Sequence, residues 1–165
     1  MTRTVGTARY FPWEGGSVFI GRSGAVPVHA HQAIQVCFLF DGEIRLRADD
    51  RAPFSGYRVA VVPSRQVHAM DGSAGDLGAV IFVEPETREG RILAERYPAG
   101  GIAAADWALV AAVIPALGAA VRGGRGRDAI VPAARRVVQA LAGDLQPSVV
   151  SDERIVRAAA YINAN

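Results

Sequence analysis

The chain carries three histidines, and two of them, His29 and His31, stand two residues apart in the stretch Val28-His29-Ala30-His31-Gln32-Ala33-Ile34-Gln35-Val36. The stretch reads as β-strand. Strand side chains alternate between faces, so His29, His31, Ala33, Gln35 and Cys37 would share one face, and Ile34, Val36 and Phe38 the other. Imidazole nitrogens donate, accept or ligate, and an amide donates and accepts. If the odd-numbered face lines the inside of a barrel, two imidazoles and an amide converge on a pocket. Otherwise the pairing is an accident. The third histidine, His68, follows the turn Pro63-Ser64-Arg65-Gln66 and opens a further strand-like stretch, His68-Ala69-Met70.

The elements around these residues change character along the chain. Up to about residue 85 the sequence holds short runs rich in Val, Ile and Phe, punctuated by Gly, Pro, Asp and Ser. Ser17–Ile20, Ile34–Phe40, Glu43–Arg47, Tyr57–Val62 and Gly78–Val83 read as strands. Asp41-Gly42 reads as the turn of a hairpin. Closely spaced strands of this kind predict a sandwich or small barrel. From Pro85 the pattern becomes helical. Glu86–Tyr97 reads as a short helix and Asp106–Val121 as a second, kinked at Pro115. Asp128–Ala142 reads as a third, with Ile130, Ala134, Val137, Val138 and Leu141 on one face. Gln146-Pro147-Ser148 reads as a linker, and Ser151-Asp152 as the cap of a last helix with Ile155, Ala159 and Ile162 as its stripe. The chain stops at Ala164-Asn165 inside that pattern, which is expected of a piece of a longer chain.

Composition narrows the classes. At 165 residues the chain suits one domain with a real core, with half its residues hydrophobic and 21% charged. No apolar run approaches the ~20 residues of a membrane span. No apolar segment follows Met1-Thr2-Arg3-Thr4, so no secretory signal is read and the expected location is cytoplasmic. A single cysteine excludes an intramolecular disulfide. Net charge is +2, all 18 basic residues are arginine, and no like-charge block is long enough for a nucleic-acid arm.

His29-x-His31, then Gln35, then Gly42, resembles the first motif of the cupin superfamily, and Pro63-x-Arg65-x-x-His68 resembles its second. The resemblance covers residues 17 to 85. It implies a fold that is mainly β, a cupin-like jelly-roll barrel followed by two or three α-helices. It also implies a divalent metal inside the barrel, held by His29, His31 and His68. Gln35 stands where the family usually has glutamate, and Arg65 where it usually has glycine. Three neutral imidazoles with an open position suit Zn²⁺, Ni²⁺, Fe²⁺ or Cu²⁺. Gln35 is a poorer ligand than glutamate, because its neutral carbonyl does not balance the metal's charge. The histidines could instead be pocket or core residues of a barrel without metal. Cys37 and Arg65 complete the candidate ligand-binding set: Cys37 as a small buried hydrophobe, Arg65 as a turn residue or a bidentate anion contact.

Nearly the whole chain, with "HAHQAIQV", "YRVAVVPSRQVHAMDG", "IFVEPETREGRILAERY" and the closing "SDERIVRAAAYINAN", is similar to AraC/XylS-family transcriptional regulators. That similarity implies four parts. Residues 1–16 form an N-terminal arm and 17–85 an effector-binding barrel. Residues 86–145 form a helical dimerisation segment, and 146–165 the linker and start of a helix-turn-helix DNA-binding domain. The partners implied are a small-molecule effector, a second copy, and DNA through a domain absent from this chain. The stripe Ile130, Ala134, Val137, Val138, Leu141, with Trp107, Ile114 and Leu117, would be the dimer seam, or would pack on the chain's own barrel. Thr7–Trp13 would be a lid over the ligand, an edge strand or a disordered start. Effector would act by binding one conformation more tightly than another. Two other readings stay open: a stand-alone metal-dependent cupin enzyme, dioxygenase or isomerase, and a sugar- or metabolite-binding module without a DNA partner.

Overall fold

The computed structural model describes residues 8–144. Ten strands precede or interleave with four helices. The strands are β1 (Arg9–Trp13), β2 (Gly16–Gly21), β3 (Ala25–His29), β4 (Ile34–Leu39), β5 (Ile44–Arg47), β6 (Ser55–Tyr57), β7 (Ala60–Val62), β8 (His68–Asp71), β9 (Gly78–Val83) and β10 (Ala103–Ala104). The helices are α1 (Arg88–Arg96), α2 (Trp107–Val110), α3 (Ile114–Arg122) and α4 (Arg127–Ala142). One sheet runs β1-β2-β9-β4-β7-β10 and the other β3-β8-β5-β6.

The pairing is nested. β5 pairs with β6, β4 with β7, β3 with β8 and β2 with β9, all antiparallel. A long hairpin has been wound so that along each arm, β2 to β5 and β6 to β9, successive strands fall in opposite sheets, which is the jelly roll expected from the sequence. The same winding corrects two local readings. Asp41-Gly42 does not close a β4–β5 hairpin, because β4 pairs with β7 and β9 and β5 with β6 and β8. The turn carries the chain from one sheet to the other, with Gly42 at φ +99 where a side chain would be strained. Tyr57–Val62 is likewise two strands in different sheets, broken at Arg58-Val59.

Two apolar cores result. Inside the barrel, Cys37, Leu39, Ile44, Leu46, Ala60, Val62 and Met70 pack together. On the outer face of the six-stranded sheet, Val18, Ile20, Ile34, Val36, Phe38, Ile81 and Val83 meet the helices. β4 is buried along its whole length, and its alternation serves both cores, odd positions inward and even positions toward the helices.

The helices end where the chemistry of their caps dictates. Thr87 accepts from the Gly90 N–H at 3.0 Å and starts α1 two residues later than the sequence pattern suggests. Gly90 is required there, since a Cβ would overlap the Glu84 carbonyl. The expected kinked helix at 106–121 is broken instead of bent. Asp106 caps α2 through Ala108 N–H at 2.9 Å, and Pro115 sits in the first turn of α3, where its missing N–H costs nothing.

The stripe expected as a dimer seam is consumed within the chain. Ile130, Ala134, Val137, Val138 and Leu141 are each no more than 4% exposed, and all belong to the core between α4 and the six-stranded sheet. Ile114 and Leu117 of α3 are buried in that same core. An amphipathic helix lying on its own sheet has no apolar face left for a second copy, so this face is corrected from partner contact to domain core. Residues Arg9–Trp13 are an edge strand paired residue for residue with β2, and not a free lid. The linker at 146–148 and the last helix from Ser151 lie outside the described residues.

Candidate metal and ligand site

Two strands and a loop bring the histidines together. β3 ends at His29 and β4 begins at Ile34, so 28–36 is not one strand, and the shared-face reading of it fails in detail. His29 lies beside His68 because β3 and β8 are neighbours, with those two residues in register after an irregularity between Val26 and His29. His31 arrives from the loop between β3 and β4. That loop is tied to the turn before β8: Arg65 N–H donates to the His31 carbonyl at 2.8 Å, and Arg65 Nε donates to Gln32 Oε1 at 2.9 Å. Ring centroids are 4.3 Å apart for His29–His68, 5.1 Å for His31–His68 and 5.6 Å for His29–His31. One ring nitrogen from each lies within 4.8 Å of the others.

The three rings are anchored alike. His29 Nδ1 faces the Pro27 carbonyl at 2.8 Å, His31 Nδ1 the Ala33 carbonyl at 2.8 Å, and His68 Nδ1 the Gln66 carbonyl at 2.9 Å. A carbonyl only accepts, so each neutral ring carries its proton on Nδ1 and keeps a lone pair on Nε2. This is how metal-binding histidines are held by their surroundings. His68 is fully buried, and its Nε2 has no hydrogen-bond partner. Such an orphaned acceptor costs free energy unless something donates to it or is ligated by it. His31 Nε2 faces Gln35 Oε1 at 3.0 Å, two acceptors in contact. A proton, a cation or an end-for-end turn of the amide resolves that contact. The donor set therefore fits a borderline divalent cation with an open position.

Burial of His68, helped by the other two imidazoles, lowers its pKa from 6.5 to about 4, which keeps it a neutral ligand at neutral pH. Below pH 6.5 the unfolded chain takes up a proton that the folded chain refuses until about pH 4. Stability is therefore lost as pH falls through that window, and this group changes nothing further below it. Chelator-treated protein is expected to melt at progressively lower temperature between pH 6.5 and 4, and His68→Asn to flatten that slope. An equal slope in both proteins would refute the assignment.

The remaining candidates separate. Gln35 is buried under the histidines and reaches Cys37 Sγ at 3.4 Å. Cys37 lies one step deeper, fully buried among the apolar residues that fill the barrel below. Burial pushes its thiol up to about 12, so it stays protonated and inert. Iodoacetamide at pH 8 is expected to leave Cys37 unlabelled in the native protein and to label it fully in denaturant; rapid native labelling would show an open barrel. Arg65 is exposed at the mouth with φ +62. Glycine is favoured in that left-handed region, and the two hydrogen bonds of Arg65 to the 31–32 loop offset the strain.

The sequence reading missed an aromatic row. Tyr10 and Phe19 lie 4.5 Å apart, Phe19 and Phe82 5.9 Å, and Phe82 stands edge-on to His31 at 4.9 Å. A cleft of about 330 Å³, part of it open to solvent, lies elsewhere, between the β1–β2 turn, the start of α1 and α4. Trp13, Glu14, Thr87, Glu89, Arg135 and Gln139 line it, and it contains none of the site residues named from the sequence.

No protein-family profile and no curated protein matches the sequence. Solved structures do match. A protein of Neisseria meningitidis is 17% identical over 51% of this chain and 89% of its own, with a TM-score of 0.40. An RmlC-like cupin of Desulfovibrio desulfuricans is 16% identical over 52% and 90%, with a TM-score of 0.39. An RmlC-like cupin family protein with a double-stranded β-helix fold, from Methanocaldococcus jannaschii, is 16% identical over 51% and 86%, with a TM-score of 0.37. By its own strand pairing this chain is a mainly β, cupin-like jelly roll with helices after the barrel. No helix among the described residues is long and apolar enough to cross a membrane.

Proposed function

We propose that this chain is the effector-sensing part of a DNA-binding transcriptional regulator of the AraC/XylS type, and that its sensor is a divalent metal held by His29, His31 and His68. The observation that carries the metal is the common Nδ1-to-carbonyl anchoring of the three rings around a buried, unpartnered His68 Nε2. The regulator role is supported by the sequence resemblance and by the order of parts, a jelly roll followed by helices. A bound cation would supply an open coordination position for a ligand atom, and would not need to be a catalyst. Gln35 would hydrogen-bond the ligand or a water at that position. The alternative, a metal-dependent enzyme, needs an acid–base group beside the metal. Among the described residues no carboxylate joins the histidine cluster, which favours sensing over turnover.

The test has two arms. Metal analysis of purified protein should find about one zinc, nickel, iron or copper ion per chain; protein that takes up none from a buffered metal solution would end the metal reading. The parent gene should encode two helix-turn-helix units beyond Asn165, and its product should retard DNA from its own promoter. A stop at codon 166 would end the regulator reading.

A further inference from the structure

The cleft between the β1–β2 turn, the start of α1 and α4 lies on the helix side of the larger sheet, apart from the histidines. Its walls are fixed by close packing. Trp13 ends β1 and packs against the helix-side core. Its indole lies across Gly16, the residue opposite it on β2, where a Cβ would come within 2.8 Å of the ring. Only glycine leaves the ring that room. In the turn, Gly15 sits against the Thr87 methyl, and its carbonyl accepts from the Glu84 N–H at 3.0 Å. The turn is thus seated on the residue that caps α1. Val83 and Val138, each no more than 4% exposed, give the cleft an apolar base.

Three charged groups stand around that base. Glu14 comes from the turn, Glu89 from the first turn of α1 and Arg135 from α4, where the Gln139 amide lies one helical turn on. Among the described residues none of the three charged side chains has an ion pair or hydrogen bond. The same chain pairs Arg22 with Asp76, Arg47 with Asp50 and Arg122 with Asp41. Two carboxylates and one guanidinium leave one negative charge over. An anion would meet both carboxylates, and a simple cation would meet the guanidinium. A molecule with one anionic and two cationic groups meets all three with opposite charge. The volume, about 330 Å³ and partly open to solvent, is at the small end of ligand clefts, which run from roughly 300 to 1,000 Å³. It suits an amino acid and not a nucleotide or a disaccharide.

We propose that this cleft binds a free basic amino acid of the arginine type, at a site separate from the histidines and independent of any metal. The α-carboxylate pairs with Arg135, whose guanidinium can take both oxygens at once, and with the Gln139 amide. The α-ammonium and the side-chain cation pair with Glu14 and Glu89. The planar guanidinium of the ligand lies against the Trp13 indole, as Arg58 of this chain lies over Trp107 at 3.7 Å. A ligand so held bridges the β1–β2 turn, α1 and α4. It binds the folded chain alone and therefore raises the melting temperature.

The probe is L-arginine, titrated calorimetrically into metal-free protein, because its amine and carboxylate would otherwise chelate a metal. Two analogues each remove one group. Agmatine lacks the carboxylate, and L-citrulline carries a neutral urea in place of the guanidinium. L-Arginine is expected to bind at least about ten-fold more tightly than either, the order of one lost charge-assisted pair. Arg135→Gln should lose about ten-fold in L-arginine affinity and keep its affinity for agmatine. Glu14→Gln/Glu89→Gln should bind L-arginine no better than L-citrulline. Each comparison is made within one variant, so the fraction folded cancels. Four results would overturn the proposal. They are no binding of L-arginine at millimolar concentration, agmatine or L-citrulline binding wild type as tightly as L-arginine does, an arginine-to-agmatine ratio unchanged in Arg135→Gln, and an arginine-to-citrulline ratio unchanged in the double variant. None of them bears on the histidine site.

Discussion

Protein carrying His31→Ala is expected to bind zinc at least about a hundred-fold more weakly than wild type. Removing only a hydrogen-bond partner of a metal ligand costs roughly 10- to 100-fold, and here a ligand itself is lost. His31 is also the safest of the three to remove. It is half-buried and comes from a loop, whereas His68 is fully buried, and cutting it back leaves a cavity that destabilises the barrel by itself. Gln35→Glu gives the opposite sign. It places a carboxylate 3.0 Å from His31 Nε2, supplies negative charge to the cation and should tighten binding. Dialysis against buffered zinc followed by metal analysis reads both variants. Equal zinc content in His31→Ala and wild type would remove the cluster as a metal site, and the buried Nε2 of His68 would need another explanation.

Val137→Asp is expected to unfold the domain and not to dissociate a dimer. Val137 is fully buried in the core between α4 and the six-stranded sheet. An uncompensated buried charge costs about 3–5 kcal/mol, against a total stability of about 5–15 kcal/mol for a domain. The melting temperature should fall by about ten degrees or more, or the protein should be recovered only as aggregate. A variant that melts like wild type but sediments as a smaller species would return this face to an interface between copies. Arg136→Asp, on the exposed side of the same helix, is the matched control and should leave the melting temperature nearly unchanged.

The change from strands to helices near Pro85, most of the strands and the three histidines were legible in the sequence because each depends on local pattern. Alternation marked Glu43–Arg47, a short apolar run between turn residues marked Gly78–Val83, and Pro98 marked the end of the first helix. What escaped was set by partners distant in the chain. Asp41-Gly42 has the composition of a hairpin turn, yet β4 gains more by lying between β7 and β9, where both its faces are covered. The period-two reading carried His29 and Gln35 onto one strand face. The chain instead leaves one sheet at His29 and enters the other at Ile34, and the loop restores the convergence by tying His31 to Arg65. The apolar stripe of α4 was correctly seen, but periodicity gives the direction of a face and not its occupant. Phe82 falls within a run read as a strand, Gly78–Val83. Its link to Tyr10 and Phe19 exists only through the pairing of β1, β2 and β9, for which no local residue pattern speaks.

β4 divides two cores within six residues. Its odd positions, Gln35, Cys37 and Leu39, face the barrel, while Ile34, Val36 and Phe38 hold the helices. Substitution on one side leaves the contacts of the other in place. A change of side chain at an odd position therefore reshapes the interior of the barrel, while the surface that anchors α4 keeps its packing.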